Sequence, residues 1–132
     1  MSLTLEDIQR LRSTRCDTVT VGELPPNLAK EMGLLVPLVY LSKESLKHIN
    51  RHRHVSDFEL LPAPFVVRHG LVIREYAKPN SYLCSYVGPL VPDQKCYGAV
   101  LKVASPDREV HLDTFHRLHR RQTIAWLKRG SS

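Results

Sequence analysis

The stretch that decides the fold is Phe65–Phe115, FVVRHGLVIREYAKPNSYLCSYVGPLVPDQKCYGAVLKVASPDREVHLDTF. Short β-branched and aromatic runs alternate there with turn residues, which is the signature of consecutive strands. Phe65–Arg68 and Leu71–Tyr76 flank His69-Gly70, where glycine would supply the positive φ of a tight hairpin. Tyr82–Val87 reads as a third strand, closed by Gly88-Pro89. Tyr97–Ala104 and Val110–Phe115 follow as a fourth and fifth, joined by Ser105-Pro106-Asp107-Arg108.

Outward from this meander the periodicity becomes helical. Leu5, Ile8 and Leu11 predict a short amphipathic helix over residues 4–14, with Thr4 as its N-cap. Thr18–Val21 alternates like a brief strand, and Pro25-Pro26 opens a turn or short helix ending near Gly33. Val36–Leu41 reads as a buried strand. Ser42 caps a helix over Lys43–His54, on which Leu46, Ile49 and Arg53 share one face. Ser56-Asp57-Phe58-Glu59 has capping-box spacing and predicts another short helix before Pro62. After the meander, His116–Lys128 reads as a closing helix. The expectation is an α+β fold in one domain, residues 1–132. N-terminal helices (1–62) pack on a C-terminal antiparallel β-meander with a closing C-terminal helix (63–129).

Composition narrows the function classes. The 132 residues carry 19 Lys and Arg against 13 Asp and Glu, a formal charge of +6 that favours anionic partners. Between Glu59 and Asp93 the only acid is Glu75, and none follows Asp113. The run from Phe115 carries Arg117, Arg120, Arg121, Lys128 and Arg129, with His116 and His119 among them. Three cysteines, Cys16, Cys84 and Cys96, form no CxxC pair, so a disulfide framework or four-ligand zinc site is not expected and a reducing cytoplasm is. The first residues lack the apolar run of a signal peptide, and no stretch approaches the ~20 apolar residues that span a bilayer. No Gly-rich phosphate loop, GxSxG elbow or papain-like Cys context is present, so nucleotide hydrolysis and serine or cysteine hydrolase chemistry are not expected, nor is a cofactor.

Two clusters are candidates for chemistry. In Lys47-His48-Ile49-Asn50-Arg51-His52-Arg53-His54, His48 and His52 lie one helical turn apart, and Lys47, Arg51 and His54 form the adjoining stripe. Imidazoles titrate near neutral pH, so such a helix can exchange protons while its cations hold a phosphate. Taken singly, each histidine reads more readily as an exposed polar position than as a functional one. A metal pair is disfavoured, because the neighbouring cations oppose a dication. The second cluster lies in the last hairpin. A four-residue turn sets Lys102 opposite His111 and Val100 opposite Asp113, with Lys102, His111 and Asp113 on one face. The plain alternative is a cross-strand charge cluster of small energetic weight. Arg68 and Arg74 would extend this basic surface, and Tyr76, Tyr82, Tyr86 and Tyr97 are candidates for stacking on unpaired bases.

The order of Leu41-Ser42, His48-Ile49-Asn50-Arg51-His52, Pro62 to Pro64, Tyr97-Gly98-Ala99-Val100-Leu101-Lys102 and Thr114-Phe115-His116 resembles the phage-borne members of the barnase–colicin–RelE-like (BECR) nuclease superfamily. The resemblance covers Val36 to Phe115. It implies a metal-independent endoribonuclease that turns the ribose 2′-hydroxyl on the adjacent phosphate, leaving a 2′,3′-cyclic phosphate. By that resemblance His48 or His52 is the general acid/base, Arg51 and Lys102 stabilise the phosphorane, and Thr114 donates a hydrogen bond to a phosphate oxygen. Asp113 is then the better placed of two acids, Glu75 being the other. Strict alternation puts Thr114 on the face opposite Lys102, so both reach one site only through a twist, a bulge or a strand end. The expected partner is RNA or another polyanion, with an acidic inhibitor protein as a further partner if the chain is a toxin. A non-catalytic nucleic-acid-binding module and a protein-interaction domain use the same surface and remain open.

Overall fold

A computed structural model describes residues 3–13, 17–52, 55–75, 78, 80–87, 96–104 and 108–118, with the backbone alone at His52, Val87, Cys96 and Leu118. In chain order the elements are α1 (Leu5–Arg12), β1 (Thr18–Glu23), α2 (Pro26–Glu31), β2 (Leu38–Ser42), α3 (Lys43–His52), α4 (Asp57–Leu60), α5 (Ala63–His69), β3 (Leu71–Arg74), β4 (Ser81–Val87), β5 (Cys96–Ala104) and β6 (Glu109–Leu118). The strands form one six-stranded sheet ordered β1-β2-β6-β5-β4-β3. Neighbours run antiparallel except β2 and β6, which are parallel.

Local chemistry sets the helix ends. Thr4 accepts from the Asp7 amide while Asp7 reaches back to the Thr4 amide, and Ser56 and Glu59 repeat this reciprocal capping at α4. Ser42 accepts from the Ser45 amide at the start of α3. At the end of α2, Gly33 takes a positive φ of 74°. Its amide reaches the Lys30 carbonyl and the Leu34 amide reaches Ala29, closing the last turn in a Schellman arrangement.

Among the described elements, α1, α3 and α5 lie on one face of the sheet. Helix α5 packs on β1, β4 and β5, α3 on β6 and β2, and α1 on β1 and α4. Ile8, Leu11, Leu46, Ile49, Leu60, Val66 and Val67 from the helices meet Leu41, Ala99, Leu101, Leu112 and Phe115 from the strands in one buried core. Polar groups tie the helices together at its margin. Arg12 donates to both carboxylate oxygens of Asp57 and to Asn50 Oδ1, and Asn50 in turn donates to the Val55 carbonyl at 2.6 Å. The Asp57 carboxylate accepting from Arg12 holds that guanidinium above its ordinary pKa. Lys43 Nζ reaches the Ser13 carbonyl at 2.7 Å.

Several expectations from the sequence are corrected. The strands expected at Thr18–Val21 and Val36–Leu41 are present as β1 and β2, but they join the meander in one sheet, and the parallel pairing of β2 with β6 makes that sheet mixed where an antiparallel one was expected. Phe65–Arg68 is helical, not a strand. Its consecutive valines, Val66 and Val67, are both buried in the core beneath the sheet, and that burial overrides their β-branched preference. Gly70 has a φ of −73°, so it is not the positive-φ residue of a hairpin. Its small size matters instead, because an added Cβ would stand 2.5 Å from the Val66 carbonyl oxygen and 2.7 Å from Cys84 Sγ. Strand β6 continues through Leu118, so His116–Leu118 are extended where a helix was expected. The rest of the expected C-terminal helix lies outside the described residues. Among the described residues no helix is long and apolar enough to cross a membrane.

Gly70→Ala should therefore lower unfolding stability by ~1–3 kcal/mol in urea titrations, the usual range for overpacking. Burial pushes the Cys84 thiol up to about 12, and its Sγ donates to the Val66 carbonyl at 3.3 Å. The thiol stays protonated at neutral pH, and only a thiolate alkylates. Peptide mapping after iodoacetamide treatment should find Cys84 unlabelled in the native protein and labelled in urea.

Candidate functional site

The sheet face away from the helices carries a transverse row of polar side chains, one per strand position. Register fixes it: Ser81 pairs with Lys102, Lys102 with His111, Tyr40 with His111, and Thr20 with Tyr40. Glu75, just past β3, extends the row: its amide donates to the Ser81 carbonyl and its Oε1 accepts from Ser81 Oγ at 3.0 Å. Lys102 Nζ lies 3.4 Å from Asp113 Oδ2, with the two side chains 53% and 40% exposed. His111 Nε2 lies 3.8 Å from Glu109 Oε1. The Tyr40 ring is inclined at 43° to that imidazole, with centroids 5.8 Å apart.

A bulge in β6 resolves the conflict between Lys102 and Thr114. Leu101 pairs with Leu112 but Val100 pairs with Thr114, so Asp113 is the extra residue. The bulge corrects the expected Val100–Asp113 pairing. It also shifts the alternation by one, which places Thr114 on the same face as Val100 and Lys102. The same shift turns Phe115 toward the helices, where it is fully buried and stacks on Tyr97. Without the bulge this ring would point away from the core.

The row is accessible at one end only. Lys102 is exposed and Asp113 and His111 are partly so, whereas Glu75, Ser81, Leu83, Val100 and Thr114 are buried. Thr114 is 3% exposed, which withdraws its hydroxyl from a phosphate held in solvent.

Helix α3 stands on the opposite side of the sheet. Leu46 and Ile49 enter the core, and Lys47, His48 and Arg51 point outward and are exposed. The sheet thus separates the helix cluster from Lys102, His111 and Asp113. His52 belongs to α3 by its backbone, and His54 lies outside the described residues. Arg68 and Arg74 do not extend the Lys102 face as expected. Arg68 is on α5 and donates to the Leu24 carbonyl at 3.2 Å, while Arg74 shares the helix-side face of β3 with Val72. Tyr82, Tyr86 and Tyr97 also belong to the helix-side core, which removes them as open stacking surfaces. Tyr76 lies outside the described residues. Arg117 pairs with Glu59 at 2.5 Å on the helix side.

Tyr40 and Ser81 are additions the sequence did not yield. The alternation of Val39, Tyr40 and Leu41 separates Tyr40 from the core, but nothing local says that β2 lies beside β6. No protein-family model, curated protein or solved structure matches the chain. The fold and the site define the class on their own: a mixed α/β domain with α1, α3 and α5, among the described residues, on one sheet face and a half-exposed Lys–His–carboxylate group on the other.

Because both partners are open to solvent, Lys102–Asp113 should contribute little to stability. A double-mutant cycle of Lys102→Ala and Asp113→Ala should give a coupling of ~0–1 kcal/mol that disappears in high salt. A coupling well above that range would mean the pair is shielded from water.

Proposed function

We propose that the chain is a metal-independent, endoribonuclease-like domain whose site is the exposed end of this row. The observation that carries the reading is the pairing of Lys102 with His111 beside bulged Asp113, which gathers a cation, an imidazole and a carboxylate on one accessible sheet face. The likeness of the sequence to BECR nucleases supports it. The acid–base role given by that likeness to His48 or His52 passes in this proposal to the sheet residues, since α3 lies across the sheet from Lys102.

The chemistry is a transesterification. Asp113 takes the proton of the ribose 2′-hydroxyl, whose oxygen attacks the adjacent phosphorus. Lys102 stabilises the charge gathering on the non-bridging oxygens. Protonated His111 gives its proton to the departing 5′-oxygen. The products are a 2′,3′-cyclic phosphate and a free 5′-hydroxyl. Lys47, His48 and Arg51 bind phosphates on the helix side without touching the reacting atoms. The remaining parts of the proposal are a helix closing the fold after β6, a cytoplasmic setting, and a phage-borne toxin role with an acidic inhibitor as partner.

A second reading rests on one observation, the exposure of Lys47, His48 and Arg51 on a helix face remote from the row. It makes the protein a nucleic-acid-binding module, with affinity falling steeply as salt rises and no cleavage products.

Incubation with RNA in EDTA distinguishes the readings. Cleavage with cyclic-phosphate ends is expected, and Lys102→Ala or His111→Ala should slow it by about 100-fold, the weight of one stabilising or proton-transfer group. His48→Ala/His52→Ala should weaken binding and leave the rate at saturation near wild type. Loss of cleavage in that double variant, with Lys102→Ala and His111→Ala unaffected, would return the catalytic role to the helix.

A further inference from the structure

We infer that Tyr40 is a base-stacking platform that directs the site to unpaired RNA, an inference that rests on the ribonuclease reading of the same face. Strand order runs β5, β6, β2, so Lys102, His111 and Tyr40 follow one another across the sheet with His111 in the middle. Adjacent strands stand about 4.8 Å apart, so a phosphodiester over Lys102 and His111 brings a neighbouring nucleoside over β2. The residue it meets there is Tyr40, half-buried and inclined against the His111 ring at 5.8 Å. Beyond it, half-buried Thr20 ends the row on edge strand β1.

Other aromatic rings are committed elsewhere. Tyr82, Tyr86, Tyr97 and Phe115 are all taken up by the helix-side core. Among the described tyrosines and phenylalanines, Tyr40 is the one that shares the face of Lys102 and His111. A phenol ring is uncharged and offers a π-face to any base, so it adds affinity without selecting sequence. It also imposes a condition on the substrate: a base inside a duplex is already stacked on both faces and cannot lie on a protein ring, whereas a splayed single-strand base can. The row therefore divides its tasks, with Lys102 and His111 on the phosphate and Tyr40 on the base.

The test uses a short 2′-O-methyl oligonucleotide, which cannot be cleaved, both unpaired and annealed to its complement, at one fixed salt concentration. Wild type should bind the unpaired form at least about tenfold more tightly than the duplex, the scale of a single stacked base. Tyr40→Leu should lose about tenfold of affinity for the unpaired form and nothing for the duplex, while Tyr40→Phe keeps wild-type binding. Equal affinity of the leucine variant and wild type for the unpaired form overturns the inference. So does an equal loss on both forms, or no binding of either form by wild type. Cleavage of ordinary RNA is measured in parallel. Selective loss in Tyr40→Leu without any wild-type cleavage removes the ribonuclease reading and keeps the stacking platform. Cleavage without that selective loss does the reverse.

Discussion

The structure depends on β6 being paired along both edges. On one side it runs antiparallel to β5, and on the other it runs parallel to β2 through Val39–Val110 and Tyr40–His111. The parallel pairing is what unites the N-terminal elements with the meander in a single sheet. A strand with neighbours on both sides has little freedom to slip, because a one-residue shift exchanges every buried side chain for an exposed one. The bulge at Asp113 is the exception built into this constraint. It lets Val110 and Leu112 face the helices before it, and Phe115 after it, while collecting Lys102, His111, Asp113 and Thr114 toward the other side.

The helical layer follows from that arrangement. With one face of the sheet committed to Leu46, Ile49, Val66 and Val67, α3 has only its outer surface left for charge. Lys47, His48 and Arg51 occupy it, on the side of the sheet opposite Lys102. Asn50, inside the motif that suggests nuclease chemistry, is spent on structure: it accepts from Arg12 and donates to the Val55 carbonyl. That a basic helix and a Lys–His sheet cluster coexist in a small domain does not make them one site. The proposal rests on the sheet cluster because a cation, an imidazole and a carboxylate meet there.

Signals carried by near neighbours in the chain were legible. Thr4 with Asp7, Ser56 with Glu59, and Ser42 ahead of α3 all sit within three residues of the groups they bond, so spacing alone reveals them. The final hairpin was legible for a similar reason, since a short turn fixes Lys102 against His111. The segment around Val66 reads as a strand because its valines favour strands in isolation, and only their contact with the sheet makes a helix the better solution. The face of Thr114 was undecidable from alternation, which has no way to register an inserted residue.

By itself, then, the sequence determined the helix caps, the strand-rich C-terminal half, the basic balance and the Lys102–His111 register, because each depends on neighbours close along the chain. Tertiary structure alone decided the rest. It set β2 beside β6, it placed Asp113 in the bulge, and it put His48 and Lys102 on opposite sides of the sheet. Those outcomes depend on which distant surfaces bury the most apolar area together, and that competition is settled across the whole fold. The same competition brought Tyr40 next to His111, from a strand some seventy residues away in the chain.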